Sequence, residues 1–338
     1  MLRNGVMLLV VVIAAIAGGS ARMTHASTPS SGVLLVANKG DHTLGIIDPA
    51  AGRQVAVVEE SGITGHEVIA SPDGRTAFVP IYGDSGVGRP GSDGQTMDVI
   101  DIASRRRVAT IDFGHAERPH CPQFGPDGRL YVTTEITNTI TVIDPKSNRI
   151  VDRIPTGQPE SHMLVLTRDG KRAYTSNVHV GTVSAIDLAA KKVTAVIPVS
   201  SYAQRIALSV DDGLVFTADQ TEPRLAVIDT KTNQRKQWVP LPGIAYGTAP
   251  TPDGRWLVIA ILGANKVGLL DLRTMQLART IDVPKAPQEV VVRPDGRVAY
   301  VSCDASKKVA VIDLGEQKLD KLIDAGPLAD GLAWAPGR

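Results

Sequence analysis

Along most of the chain, short runs of β-branched, aliphatic and aromatic residues alternate with turn-forming residues. Runs such as RTAFVPI, RLYVTT, RAYTSN and RVAYVSC are too short for core helices and suit a pleated, packed surface, so they predict strands. A tripeptide VID, or a close variant, ends at Asp48, Asp101, Asp144, Asp187, Asp229, Asp271 and Asp313, at intervals of 53, 43, 43, 42, 42 and 42 residues. An Asp-Gly turn places its aspartate at Asp73, Asp127, Asp169, Asp212, Asp253 and Asp295, at intervals of 54, 42, 43, 41 and 42. The two series keep step. They predict a repeated unit of four strands: one leading into the Asp-Gly turn, one following it, one ending in VID, and one after the next turn, as in RIVDRI. Glycine suits the turn because it accepts positive φ without a Cβ clash.

Four strands per 42 residues, repeated seven times, is the pattern of a seven-bladed β-propeller, an all-β fold. The C-terminal WAPGR matches the start of a repeat, and SGVLLVANKGDHTLGIID near the N-terminus matches its continuation. The last blade is therefore expected to take its inner strand from residues 328–336 and its other three from about 33–58. That shared blade joins the two ends of the ring by backbone hydrogen bonds and leaves no exposed blade open. Residues 31–338 then form a single propeller domain.

The first residues follow a different rule. Arg3 precedes twelve apolar residues from Val6 to Ala17, and small residues follow, so residues 1–26 read as a secretory signal with cleavage after Ala21 or Ala26. The apolar core is shorter than the roughly 20 residues that span a bilayer, and no membrane span is expected after cleavage. The expected location is periplasmic or secreted. Lys plus Arg 36 against Asp plus Glu 35 leaves a net charge of +1, so no global field draws the chain to nucleic acid, and no nucleic-acid partner is expected. The two cysteines, Cys121 and Cys303, fall in the second and sixth blades counted from that of His66, and are expected as free buried thiols.

The series LVAN at 35–38, YVTT at 131–134, YTSN at 174–177 and YVSC at 300–303, each followed by a VID-type strand, resembles the YVTN-repeat β-propeller family. The resemblance covers nearly all of the mature chain, and its motifs specify blade packing rather than chemistry. It implies a secreted or periplasmic seven-bladed propeller. Related propellers include lactonases and the haem-bearing domain of periplasmic nitrite reductases. The chain lacks a Cys-x-x-Cys-His segment, so covalent haem is not expected.

Candidate chemistry lies where equivalent loops converge. Counting back seven residues from each turn aspartate, or eight in the fourth repeat, gives His66, His120, His162, Gln204, Tyr246 and Gln288, and Asp330 takes the seventh place. A purely structural position would repeat one residue type, as the turns do; this column is polar in all seven blades and varied. The next column reads Glu67, Cys121, Met163, Arg205, Gly247, Glu289 and Gly331. His66, His120 and His162, from adjacent blades, suggest a transition-metal site of neutral imidazoles with an open position. Glu67 and Glu289 are candidate bases or ligands, and Arg118, Glu160 and Arg205 lie near the same mouth, where the arginines could hold a carboxylate or phosphate.

The repeat breaks once. The interval from Asp73 to Asp127 exceeds 42 by twelve, and the excess lies in YGDSGVGRPGSDGQT, residues 82–96, beside His66 and His120. This glycine-rich insertion reads as a lid. Together these features point to a propeller that binds a small molecule, metal or protein partner on its histidine-bearing face. The alternative is a metal-dependent hydrolase or lyase using that face.

Overall fold

Our computed structural model describes residues 31–84 and 86–337, so the signal-like segment lies outside the described residues. These residues form seven four-stranded antiparallel sheets around a central channel, with two short 3-10 turns at Leu262–Ala264 and Asp304–Ser306. Six blades are contiguous: residues 69–112, 119–155, 161–198, 203–240, 248–282 and 287–324. In the seventh, the C-terminal strand Ala329–Pro336 is innermost and the strands Gly32–Asn38, Thr43–Asp48 and Arg53–Glu59 complete it. The fold is the seven-bladed propeller expected from the repeat.

The burial pattern explains the hydrophobic runs. In the third blade, Arg172–Asn177 and Thr182–Asp187 are buried at nearly every position, because blades stack on both of their faces. The outer strand Lys192–Pro198 alternates exposed and part-buried, with Ile197 buried near its end. Its sequence therefore reads more weakly.

The recurring aspartates hold turns. At the end of each third strand the VID carboxylate accepts backbone N–H groups of the following turn, as Asp48 Oδ1 does from Ala50 (2.9 Å) and Ala51 (3.0 Å). In the turn after the inner strand, Asp73 Oδ1 accepts from Ser71 Oγ at 2.6 Å and from Arg75 N at 3.1 Å, and Gly74 holds φ +69°. The fourth repeat departs from the Asp-Gly reading. There Asp211 accepts from Ser209 Oγ (2.6 Å) and Gly213 N (3.0 Å), while Asp212 takes the left-handed position with φ +60°. The turn aspartate is thus Asp211 rather than Asp212, and the offset of eight in that repeat becomes the common seven.

Ring closure is a full strand pairing. Leu34, Leu35 and Val36 lie opposite Trp334, Ala333 and Leu332, and Gly337 N donates to Ser31 O at 2.6 Å. The Trp334 ring stacks on Tyr300 of the sixth blade at 5.9 Å, and Leu35, Ile46, Ala333 and Ala335 pack with Ala77 and Val79 of the first. Deleting residues 328–338 therefore removes an inner strand and opens both neighbouring blade interfaces. Most of the 5–15 kcal/mol typical of a native domain should be lost, about 5 kcal/mol or more. Thermal unfolding checks this: the shortened chain should lose its cooperative transition, and a melting temperature within a few degrees of the parent would contradict the closure.

Candidate functional site

Each blade sends two short connections to the same end of the channel: the one entering the inner strand and the one between the second and third strands. The first supplies the varied column. His66, His120, His162, Gln204, Tyr246, Gln288 and Asp330 all line one cavity of ≈ 380 Å³, the upper cavity. The second supplies residues outside the column predicted from the spacing: Lys39, Gln220 and Leu262, with Tyr82 at the start of the insertion, line the same cavity. These belong to another column, the residue after each LVAN- or YVTT-type run, which reads Lys39, Tyr82, Glu135, Val178, Gln220, Leu262 and Asp304. Its variation was the available signal.

The imidazoles form one aromatic group. His120 and His162 stack with centroids 3.6 Å apart, His66 stands edge-on to His120 at 5.7 Å, and the Tyr82 ring contacts all three at 4.7–5.8 Å. Burial disfavours their charged forms. It lowers His66 to about 3, and lowers His120 and His162 as well. All three are therefore neutral at pH 7. Among the described residues no group of three or more His, Cys, Asp or Glu side chains is arranged to hold a metal ion, so the expected three-imidazole metal set is not formed by these stacked and edge-on rings. His120 Nδ1 is buried and, among the described residues, has no hydrogen-bond partner.

The floor of this cavity is an ion network. Arg205, in the fourth blade, crosses the channel and donates to Glu67 Oε1 (2.5 Å), to Asp330 Oδ1 (3.1 Å) and to Glu289, from the first, seventh and sixth blades. Its guanidinium also lies over the Tyr246 ring at 4.6 Å. Gly247 and Gly331 add no side chain to this layer; a Cβ at 331 would meet Glu67 Cα at 2.6 Å. Lys39 Nζ bonds Asp330 at 2.9 Å, with Asp304 at 3.7 Å.

Glu67 and Glu289 line not the upper cavity but a second one of ≈ 440 Å³, walled by inner-strand residues such as Met163, Leu164 and Leu332. The network therefore divides the channel in two. Burial raises both, helped by repulsion from Asp330 and, for Glu67, from Glu289, which Arg205 only partly offsets; Glu67 is pushed up to about 8. Cys121, also on this lower cavity, is a free buried thiol that burial raises to about 12, and Cys303 is likewise free and buried.

Arg118 and Glu160 lie in an adjoining groove rather than in the upper cavity. Arg118 is buried and already paired: it donates to Asp93 Oδ1 (2.5 Å), Arg89 O (2.6 Å) and Glu135 Oε1 (3.1 Å). Glu160 accepts from His179 N at 2.9 Å and lies 2.6 Å from its Nδ1. Both arginines singled out for an incoming anion thus hold protein carboxylates instead. The insertion is shorter than residues 82–96 suggest, because the second strand of its blade runs on to Gly83 and the third begins at Asp93. Gly86 and Val87 of the remaining loop line the upper cavity.

Comparisons with known proteins agree with this architecture. Residues 124–334 match the family described as Cytochrome D1 heme domain, and the chain belongs to that family. Among solved structures it is similar to a Kuenenia stuttgartiensis hydrazine synthase chain at 22% identity and a TM-score of 0.72, covering 87% of this chain and 99% of that one. A functionally unknown protein from Desulfotomaculum acetoxidans matches at 11% identity and 0.75, over 91% and 100% of the two chains. A dihydro-heme d1 dehydrogenase, NirN, in complex with DHE matches at 14% identity and 0.66, over 90% and 76%. At these identities the likenesses show the fold alone. No curated protein matches the chain.

The YVTN resemblance thus holds at the level of a seven-bladed propeller, and the family is the haem-domain one. That membership also corrects the expectation drawn from the missing Cys-x-x-Cys-His segment: such a motif reports one mode of attachment, and its absence does not exclude haem from this fold.

The network has a measurable pH signature. In the native protein Glu67 keeps its proton up to about pH 8, against an ordinary value of 4.5, so the folded state holds the extra proton between those limits. Stability should then fall as pH rises through that window. His66, lowered from 6.5 to about 3, has the opposite effect: the unfolded chain binds the extra proton, and stability falls as pH drops below 6.5. Melting temperatures from pH 4 to 9 should form a dome, with Glu67→Gln flattening the alkaline limb and His66→Gln the acid limb. Limbs unchanged by these substitutions would contradict the assignment. Arg205→Ala, which strands three carboxyls, should cost roughly 3–5 kcal/mol by denaturant unfolding.

Proposed function

We propose that this propeller is a periplasmic binding domain that takes a haem-related tetrapyrrole in its upper cavity. The observation that carries the reading is the set of three neutral imidazoles on one cavity wall, with His120 Nδ1 buried and lacking a partner among the described residues. Neutral imidazole nitrogens are the protein ligands that haem iron most often takes. Family membership and the NirN complex with DHE favour the same ligand class.

The residues fit such a group as follows. His66, His120 and His162 are the nitrogen donors, Tyr202 and Tyr246 offer aromatic surface, and Gln204, Gln220 and Gln288 offer neutral hydrogen-bonding groups at the rim. A bound haem-type group would supply an iron centre with redox and ligand-binding chemistry. The protein supplies position and dryness: Arg205 and the carboxyls around it seal the floor, and Gly86 and Val87 of the insertion stand at the mouth as part of a lid. Among the described residues no helix is long and apolar enough to cross a membrane. Export by the N-terminal segment is part of the same proposal.

Titrating ferric haem into the mature protein, followed by Soret absorbance, tests the reading. Saturation at one haem per chain is expected. Replacing His66, His120 or His162 singly by Ala should weaken binding in at least one case by tenfold, roughly 1.4 kcal/mol, with little change in melting temperature. No spectral change in the parent, or parent-like binding in all three variants, would overturn it. Shortening residues 84–92 to the length of the other repeats should leave unfolding cooperative and speed haem release, since loop closure entropy varies slowly with length; equal release rates would remove the lid.

A further inference from the structure

We infer that Glu135 is a positioning residue of the upper cavity: one carboxylate oxygen fixes the tautomer of His162, and the other holds the insertion over the mouth. The inference rests on reading that cavity as the ligand site. Glu135 is 4% exposed and follows the strand Leu130–Thr134. One oxygen, Oε2, accepts from Tyr82 OH at 2.5 Å and faces His162 Nδ1 at 3.3 Å. The other, Oε1, accepts from the Arg118 guanidinium and from Gly88 N, each at 3.1 Å.

These partners decide where the protons are. A carboxyl that accepts from a guanidinium, a phenol and a backbone N–H is held in its ionised form. An ionised carboxylate is an acceptor only, so His162 Nδ1 must carry the proton. His162 is buried with Nδ1 facing Glu135, so the lone pair it can offer a ligand is the one on Nε2. The Tyr82 hydroxyl proton is directed to Glu135. At this point of the wall the cavity takes a hydrogen-bond donor or a metal centre and rejects an anion or a pure acceptor.

The same carboxylate reaches the insertion twice. It accepts Gly88 N directly, and it anchors Arg118, which in turn holds Asp93 and Arg89 O. A ligand that draws on Nε2 makes Nδ1–H a stronger donor to Glu135. Ligand engagement and loop retention are thereby coupled through one side chain.

Nitrogen-15 spectra of the histidine rings, with amide hydrogen exchange of residues 86–94, test this without any ligand, so a failed haem titration leaves the outcome standing. The parent should show His162 as the Nδ1–H tautomer. Glu135→Leu should shift it toward Nε2–H and speed exchange at Gly88 by at least roughly tenfold. Glu135→Gln, which keeps an acceptor oxygen, should restore the parent tautomer. An Nε2–H tautomer in the parent overturns the inference whether or not the Leu variant folds, as does a folded Leu variant with the parent's tautomer and exchange rate.

Discussion

Much of this molecule's chemistry follows from one guanidinium placed on the channel axis. Arg205 is 3% exposed and can remain charged there only because carboxyl groups from three other blades converge on it, with Asp330 held below the usual range. That convergence demands a closed ring, since Glu67 lies 138 residues away in sequence and Asp330 stands on the strand that joins the termini. It also separates the two cavities. Above it the channel is lined by imidazole, phenol and amide groups, and below it by apolar inner-strand side chains with two carboxyls at their upper end.

Neutrality of the upper cavity is a consequence. Three cations at or beside it are each occupied: Lys39 by Asp330, Arg118 by Asp93 and Glu135, and Arg205 by Glu67, Glu289 and Asp330. What remains to meet a ligand is a wall of uncharged nitrogen and oxygen groups around stacked aromatic rings. Such a wall binds by coordination, stacking and hydrogen bonding more than by charge, which suits an aromatic macrocycle.

Sequence periodicity carried the fold because each blade repeats the same backbone demands. The VID aspartates and the turn aspartates recur for the bonds they make to the chain itself, and these are local. The first column of the site was legible for the complementary reason: it keeps the spacing and drops the repetition, from His66 through Tyr246 to Asp330. Glu135 and Lys39 escaped notice although their column has the same property, since they follow the strand runs that drew attention as strands. The ion pairs were not legible at all. Arg118 and Arg205 read as free cations near a mouth, and only the ring's geometry brings them to carboxylates on other blades. In the fourth repeat two consecutive aspartates hid the turn, because Asp212 occupies the left-handed position that glycine takes elsewhere.

The site depends on three cavity histidines that are buried and neutral. A pH titration of their ring resonances by NMR in the ligand-free protein measures their protonation directly. His66 should keep the shifts of neutral imidazole from pH 8 down to pH 5, and His120 and His162 should both titrate below the ordinary 6.5. A midpoint near 6.5 for any of them would mean that its ring is solvated rather than buried on the cavity wall, and would contradict the site described.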